Sequence, residues 1–174
     1  ELRVRVLARL AGSRAERRPL TEEAVAMARR LDDPSTLGCA LAAHAWALWG
    51  PGVARERLAL AEELVGIADR QGDKELALFG HNAFHASYLQ LGDRAGADHH
   101  HDVKNQLTTV LQQPLHRWNV LLGYPLRAFL DGDLEASERL AADAMAVGQH
   151  VDPTSAVQAF AGQLGVIRRE EGRF

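Results

Sequence analysis

The 174-residue sequence has few of the residues that build disulfide-bonded, membrane-spanning or strand-rich proteins. It contains one cysteine, Cys39, which cannot form an intrachain disulfide and fits a reducing, cytoplasmic environment. The most apolar run, 39–49, is shorter than the ~20 residues that a bilayer span requires, and no signal peptide or lipidation motif is present. We therefore expect no membrane contact. Isoleucine occurs only at Ile67 and Ile167, and this scarcity of β-branched residues argues against sheets.

The sequence also lacks the signals of nucleic-acid binding and of catalysis. A net charge of −3 gives no bulk attraction to nucleic acid, so no direct contact with it is expected. No Gly-x-x-x-x-Gly-Lys-Ser/Thr phosphate loop occurs. Cys39 and His44 are five residues apart on an expected helix, which turns them to different faces, so Cys39 is predicted to be a small buried hydrophobe. We predict no enzymatic activity and no cofactor.

What is abundant is alanine, with 29 residues, and leucine, with 25, together almost a third of the chain. Both are strong helix formers, so the composition predicts an all-α protein.

A repeat of 40 residues organises the chain. Glycines recur at this spacing, and a second series of turn signals lies half a period away. Two turn signals per period predict two helices per unit, because Gly ends a helix and Asp or Pro begins the next. The glycines are Gly12, Gly52, Gly92, Gly132 and Gly172, and the second series lies at 32–34, 71–73, 112–114 and 151–153.

Apolar residues at spacings of three and four between these signals predict amphipathic helices. We expect nine antiparallel helices that stack as a solenoid of about 4.5 repeats, because each hairpin must cover its apolar face with its neighbours. The whole chain, 1–174, would then be one helical-repeat domain excised from a longer array. The predicted helices are 2–11, 19–31, 35–49, 55–70, 74–91, 95–111, 115–130, 134–149 and 154–171, with a kink about a turn before Pro125.

The unit from Tyr88 to Ala97 resembles a tetratricopeptide repeat (TPR). It has an aromatic residue, then Gly92-Asp93 after a helical turn, then the small Ala97 on the following helix. The next unit keeps Asp131-Gly132-Asp133 with Ser137 in place of Ala97, and the preceding unit carries Arg57 there. The resemblance implies a right-handed α–α superhelix built from degenerate, longer repeats.

The segments 21–34 and 159–164 resemble the helical-repeat regions of large actinobacterial regulators. Those proteins place such an array beside a nucleotide-binding ATPase module, with a LuxR-type DNA-binding domain or a cyclase domain elsewhere. The resemblance implies a cytoplasmic role in signalling or transcription regulation, with a protein partner or other domains of the parent chain as the binding partner.

The expected concave groove collects aromatic and amide side chains on the first helix of each hairpin. Aromatic rings give contact area at low entropic cost and amides orient a ligand, so these residues are the ligand-binding candidates, although the aromatic rings could instead fill the core. Core positions are favoured for Phe84, Tyr88, Trp118 and Tyr124. The groove candidates are Trp46, Trp49, Phe79, Asn82, Ala86, Gln90, Asn119, Leu122, Leu126 and Phe129.

A histidine-rich segment allows a metal site. His81 and His85 are one turn apart, and His101 is expected on the facing helix, so the three could bind Zn²⁺. Alternatively, His85 is a packed core residue bonded to a neighbour while His99, His100 and Asp102 are solvated.

These patterns favour a non-catalytic TPR-like interaction or sensor domain that mediates protein–protein or interdomain contacts. The first alternative is a small-molecule effector domain coupled to an ATPase switch. The second alternative is a metal site at the histidine cluster.

Overall fold

The computed structural model describes residues 1–4, 14–50 and 52–173, and these residues form helices and turns with no strand among them. Residues 2–4 are helical, and nine longer helices follow. They are α1 (Arg14–Leu31), α2 (Pro34–Ala47), α3 (Ala54–Gln71), α4 (Lys74–Leu91), α5 (Arg94–Leu111), α6 (Pro114–Leu121), α7 (Gly123–Leu130), α8 (Leu134–Gly148) and α9 (Pro153–Glu170). The all-α prediction is confirmed for the described residues.

The predicted helix boundaries agree closely with the structure, with two differences. The helix predicted to begin at residue 19 begins at Arg14, so Pro19 lies inside α1. The helix predicted at 115–130 is divided at Leu122 into α6 and α7, three residues before Pro125. This interruption agrees with the predicted kink, since proline removes a backbone donor from the preceding turn. The predicted helix at 2–11 falls largely outside the described residues, as does Gly12.

Turns recur at intervals of 20 residues from 32 to 132, half of the predicted period, and again at 172. The residues at these positions have positive φ, which lets the chain leave one helix and enter the next within two or three residues. Five of the seven are glycines, whereas the other two carry side chains in this disfavoured region. They are Asp32, Gly52, Gly72, Gly92, Gln112, Gly132 and Gly172.

Aspartates begin the helices that follow most of these turns. Asp73 accepts a hydrogen bond from the Leu76 amide at 2.9 Å, and Asp133 accepts one from the Ala136 amide at 2.9 Å. Asp33, Asp93 and Asp152 cap α2, α5 and α9 in the same way. Each carboxylate satisfies an amide that the helix leaves without a partner.

The chain divides into two compact units, Glu1–Leu107 and Thr108–Phe174. In the first unit, α2 packs on α1, α3 and α4, and α3 packs extensively on α4. Leu41, Leu64, Ile67 and Phe84 are central to its core. In the second unit, α8 packs on α6, α7 and α9.

Equivalent positions of the 40-residue repeat are buried in α3, α5 and α8. In α3 and α8 they are mostly small or apolar, which allows close helix packing, but in α5 three of the four are polar. The sets are Arg57, Ala61, Leu64 and Ala68 in α3; Ala97, His101, Lys104 and Thr108 in α5; and Ser137, Ala141, Ala144 and Gly148 in α8.

Candidate functional site

Four of the predicted groove residues lie together in the first unit, at the end of α2 and the middle of α4. We call this set, Trp46, Trp49, Phe79 and Asn82, the aromatic surface. Trp46 is 53% exposed and Trp49 is 44% exposed. Their ring centroids are 5.0 Å apart and the ring planes are tilted by 43°. The pocket between the four side chains holds about 10 Å³, roughly the space of one water molecule.

Arg57 lies behind Trp49 and is fully buried. Its guanidinium carbon is 5.2 Å from the centroid of the Trp49 ring, within cation–π distance. Nη1 donates to the Leu48 carbonyl at 2.7 Å, Nε donates to Ser87 Oγ at 2.9 Å, and Nη2 donates to Gln90 Oε1 at 3.0 Å. These bonds hold the guanidinium in place, and the guanidinium in turn packs over the exposed Trp49 ring and helps to hold it.

A second buried cation, Lys104, lies next to the aromatic surface. It is 4% exposed, and its Nζ donates to Asn82 Oδ1 at 2.8 Å. Burial lowers the pKa of Lys104 to about 8. Because the Asn82 oxygen is occupied by Lys104, the amide group that Asn82 can offer a ligand is its NH₂ donor.

All the acceptors around these two cations are neutral. Arg57 and Lys104 donate to a carbonyl, a hydroxyl and two side-chain amides, and the described contacts give neither of them a carboxylate. Desolvation accordingly lowers the pKa of Arg57 as well. The aromatic surface is therefore backed by two positive charges without a negative counterpart.

A larger depression, of about 550 Å³, adjoins the aromatic surface and shares Trp49 with it. Arg55, Gln90 and Leu91 also line it. This volume is within the range of small-molecule sites.

The remaining groove candidates have different surroundings. Ala86 is buried, whereas Gln90 is exposed and bonds to Arg57. Asn119 and Leu126 are exposed and Leu122 and Phe129 are half-buried, all in the second unit. Phe84 and Trp118 are buried, as expected of core residues, and Tyr88 and Tyr124 are half-buried.

The structure does not gather the three predicted metal ligands, His81, His85 and His101, into one cluster. His81 Nδ1 lies 2.9 Å from His100 Nδ1, and His85 Nδ1 lies 2.9 Å from the Ala97 carbonyl oxygen. The ring centroids of His85 and His101 are 5.2 Å apart, and the ring planes are tilted by 42°. In the part of the chain that is described, three ligand atoms come within 4.8 Å of one another at a different group, Glu22, His44 and Glu56.

The surroundings of the other histidines agree in part with the alternative interpretation. His85 is a buried residue bonded to a neighbour, as expected, and His99 and Asp102 are exposed. His100 was expected to be solvated, but it stacks on Phe84 at 4.4 Å. Burial, together with His81, His99 and His85, lowers the pKa of His100 to about 4. His81 also has a lowered pKa, mainly because it is buried.

The group Glu22, His44 and Glu56 draws on three helices, which is why local spacing did not reveal it. His44 is 6% exposed, and its Nδ1 lies 2.9 Å from Thr21 Oγ1. Arg18 Nε donates to Glu22 Oε1 at 2.8 Å, and Arg18 Nη2 donates to Glu56 Oε1 at 3.0 Å. The repeat contained one signal of this group, because the positions equivalent to Thr21 and His44 in the next unit are the apolar residues Ala61 and Phe84.

The expectation for Cys39 is wrong, because its side chain is exposed and not a buried hydrophobe. Arg57 was noted in the sequence only as a departure from Ala97, and its contact with Trp49 became visible in the structure.

No protein-family model matches the sequence, and no curated protein matches it significantly. None of the described helices combines the length and the apolarity needed to cross a membrane.

Proposed function

We propose that this chain is a protein-interaction domain whose aromatic surface binds a segment of a partner protein that carries an apolar or aromatic side chain flanked by acidic residues. The observation that carries the proposal is the exposed, pre-organised pair Trp46 and Trp49 above two buried cations. Exposed aromatic residues held in a fixed geometry contribute strongly to binding, because little conformational entropy is lost when the partner docks.

The size of the pocket favours a protein segment over an enclosed ligand. About 10 Å³ between Trp46, Trp49, Phe79 and Asn82 cannot enclose a metabolite, whereas the exposed rings can cover a side chain of a partner. The NH₂ group of Asn82 can donate to a main-chain carbonyl of that segment.

Charge favours an acidic segment. Arg57 and Lys104 are buried without a carboxylate, so a negative group docking nearby gains from both charges in surroundings of low dielectric. A basic segment would be repelled by the same two charges.

The test is binding to two synthetic peptide libraries that both present a central Trp, Phe or Leu, one with flanking Asp and Glu and the other with flanking Lys and Arg. The acidic library is expected to bind, and Trp46→Ala should weaken that binding at least tenfold. Val157→Ala, which truncates a similarly exposed apolar residue in α9, is the matched control and should leave binding unchanged. Equal binding of both libraries, or equal losses in the two variants, would contradict the proposal.

The proposal includes the arrangement of the helices as stacked two-helix repeats. The regular turns and the stacking of α2 on both α3 and α4 support a TPR-like solenoid of two-helix repeats, and the resemblance to the TPR implies that it is right-handed. With the sequence resemblance, they support a place in a cytoplasmic signalling or transcriptional regulator, where the partner segment belongs to another protein or to another domain of the parent chain.

The depression of about 550 Å³ favours one second candidate, a small-molecule effector domain coupled to an ATPase switch. Arg55 lines the depression but not the aromatic surface, so Arg55→Ala separates the two functions. A small-molecule effector from a thermal-shift library should lose its stabilising effect in Arg55→Ala and keep it in Trp46→Ala. The opposite pattern would place the ligand on the aromatic surface.

A further inference from the structure

We propose that Glu22, His44 and Glu56 form a binding site for a divalent transition metal, with Zn²⁺ as the fitting ion. A histidine nitrogen and carboxylate oxygens from α1, α2 and α3 lie within 4.8 Å of one another. This set of one imidazole and two carboxylates suits zinc, and it leaves a fourth position for water. The site is separate from the aromatic surface and does not depend on the proposed function.

The hydrogen bonds around His44 leave one ring nitrogen available for a metal. The Thr21 hydroxyl has a single proton, which it donates to the Arg18 carbonyl at 3.0 Å. With that proton on the Arg18 carbonyl, the hydroxyl accepts from His44 Nδ1 at 2.9 Å, and this is the tautomer in which Nε2 carries the lone pair and can bind a metal. The described contacts give Nε2 no hydrogen-bond partner. A hydrogen bond to the second ring nitrogen, which fixes the tautomer and the orientation of the ring, is a common support of a ligating histidine.

The repeat shows that the fold does not require this polar pair. The next unit has Ala61 and Phe84 where this unit has Thr21 and His44, and both of those residues are buried in the apolar core. Burial of a histidine is costly unless it is compensated, so its retention 94% out of solvent, beside two carboxylates, points to a ligand.

Arg18 binds both carboxylates of this group. It bridges Glu22 and Glu56, whose side chains are half-exposed and can move. Zinc binding draws the three ligand atoms to roughly 3.3 Å from one another, the spacing set by bonds of about 2.0 Å in a tetrahedron. The guanidinium must then leave, so Arg18 competes with the metal for the same oxygens.

Isothermal titration of the full chain with Zn²⁺ tests the site. Wild type should bind one ion here, and Glu56→Gln should weaken binding at least tenfold. Glu62→Gln removes the carboxylate that is equivalent to Glu22 in the next unit and should have no effect. Arg18→Gln should tighten binding several-fold, a gain that a purely structural ion cluster would not produce. Mg²⁺ should not bind, because it disfavours imidazole nitrogen.

A double variant keeps the test valid if removal of His44 alone disturbs folding. Thr21→Ala/His44→Phe installs the residues of the next unit, so it should stay helical by circular dichroism and lose this zinc site. Zinc affinity that is unchanged in both this variant and Glu56→Gln would assign the metal to other histidines and overturn the proposal. Absence of zinc binding by wild type would overturn it as well.

Discussion

Lys104 shows how a single residue can depart from the repeat. The equivalent positions hold Ala24, Leu64 and Ala144, and all four residues are buried. The hydrophobic pattern predicts an apolar residue here, yet the chain buries an ammonium group whose one described acceptor is Asn82. Burial of such a charge lowers the stability of the fold.

Lys104→Leu is expected to raise the free energy of unfolding at pH 7 by about 1–3 kcal/mol, because it removes a buried charge and fills the space with the residue found at Leu64. Folding lowers the pKa of Lys104 from 10.5 to about 8, so the unfolded chain binds more protons between these values. The stability of wild type therefore rises with pH from about 8 to 10.5, and the advantage of the variant shrinks.

Urea unfolding at pH 7 and pH 10.5 measures both effects. Lys74→Leu, at an exposed position, is the control and should change little at either pH. An advantage of Lys104→Leu that does not change with pH would mean that the buried ammonium is not its cause.

Helix ends follow from the turn chemistry that is visible in the sequence. The glycines at 40-residue intervals and the aspartates after them predict where helices stop and start, because only the local backbone decides these positions. The interruption at Leu122 was also predictable, from Pro125. The prediction placed the start of α1 at Pro19, whereas Pro19 lies inside the helix.

Substitutions at two helix ends, at Gly92 and at Gln112, are expected to change the free energy of unfolding in opposite directions. Gly92 has φ of 76° and no atom within 4 Å of an added Cβ, so Gly92→Val should cost about 1–2 kcal/mol through backbone conformation alone. Gln112 has φ of 52°, so Gln112→Gly should stabilise by about 0.5–1 kcal/mol. Thermal unfolding measures both, and a stabilising Gly92→Val would show that the turn conformation is misassigned.

The buried histidines of the first unit, and the charges around them, determine how this unit responds to acid. His100 faces His81, His99 and His85, and the same region contains Lys104, whereas Asp69 is the acidic group that acts on His81. Burial disfavours the charged forms of His100 and His81, and the neighbouring positive charges add to this effect, so the folded unit binds protons more weakly than the unfolded chain does.

Acidification from pH 6.5 to about 4 is therefore expected to destabilise the protein, with His100 contributing about 1–2 kcal/mol. The unfolded chain, with a histidine pKa near 6.5, takes up the proton first, and the folded state follows only near pH 4. His81→Leu/His100→Leu installs the residues found at the equivalent Leu41 and Leu60. The difference in unfolding free energy between wild type and this variant should grow as pH falls, and a constant difference would contradict the assignment.

The candidate sites show that the repeat pattern predicts which residues share a surface but not which side chains pair. The sequence predicted that Trp46, Trp49, Phe79 and Asn82 share a surface, and they do, because residues on one face of neighbouring helices keep a regular spacing. It did not predict that Arg57 supports Trp49, or that His81 pairs with His100 and not with His85 and His101. Side-chain direction and the register between helices decide such pairs.

The sequence by itself determined the helical class, the 20-residue spacing of turns and the caps, because these depend on backbone conformation and on contacts between residues close in the chain. Only the tertiary structure decided which polar groups meet across helices. It brought Glu22, His44 and Glu56 together from three helices, buried Lys104 beside Asn82 and left Trp46 and Trp49 exposed. These outcomes depend on distances between segments that are far apart in the sequence, and a periodic pattern does not determine those distances.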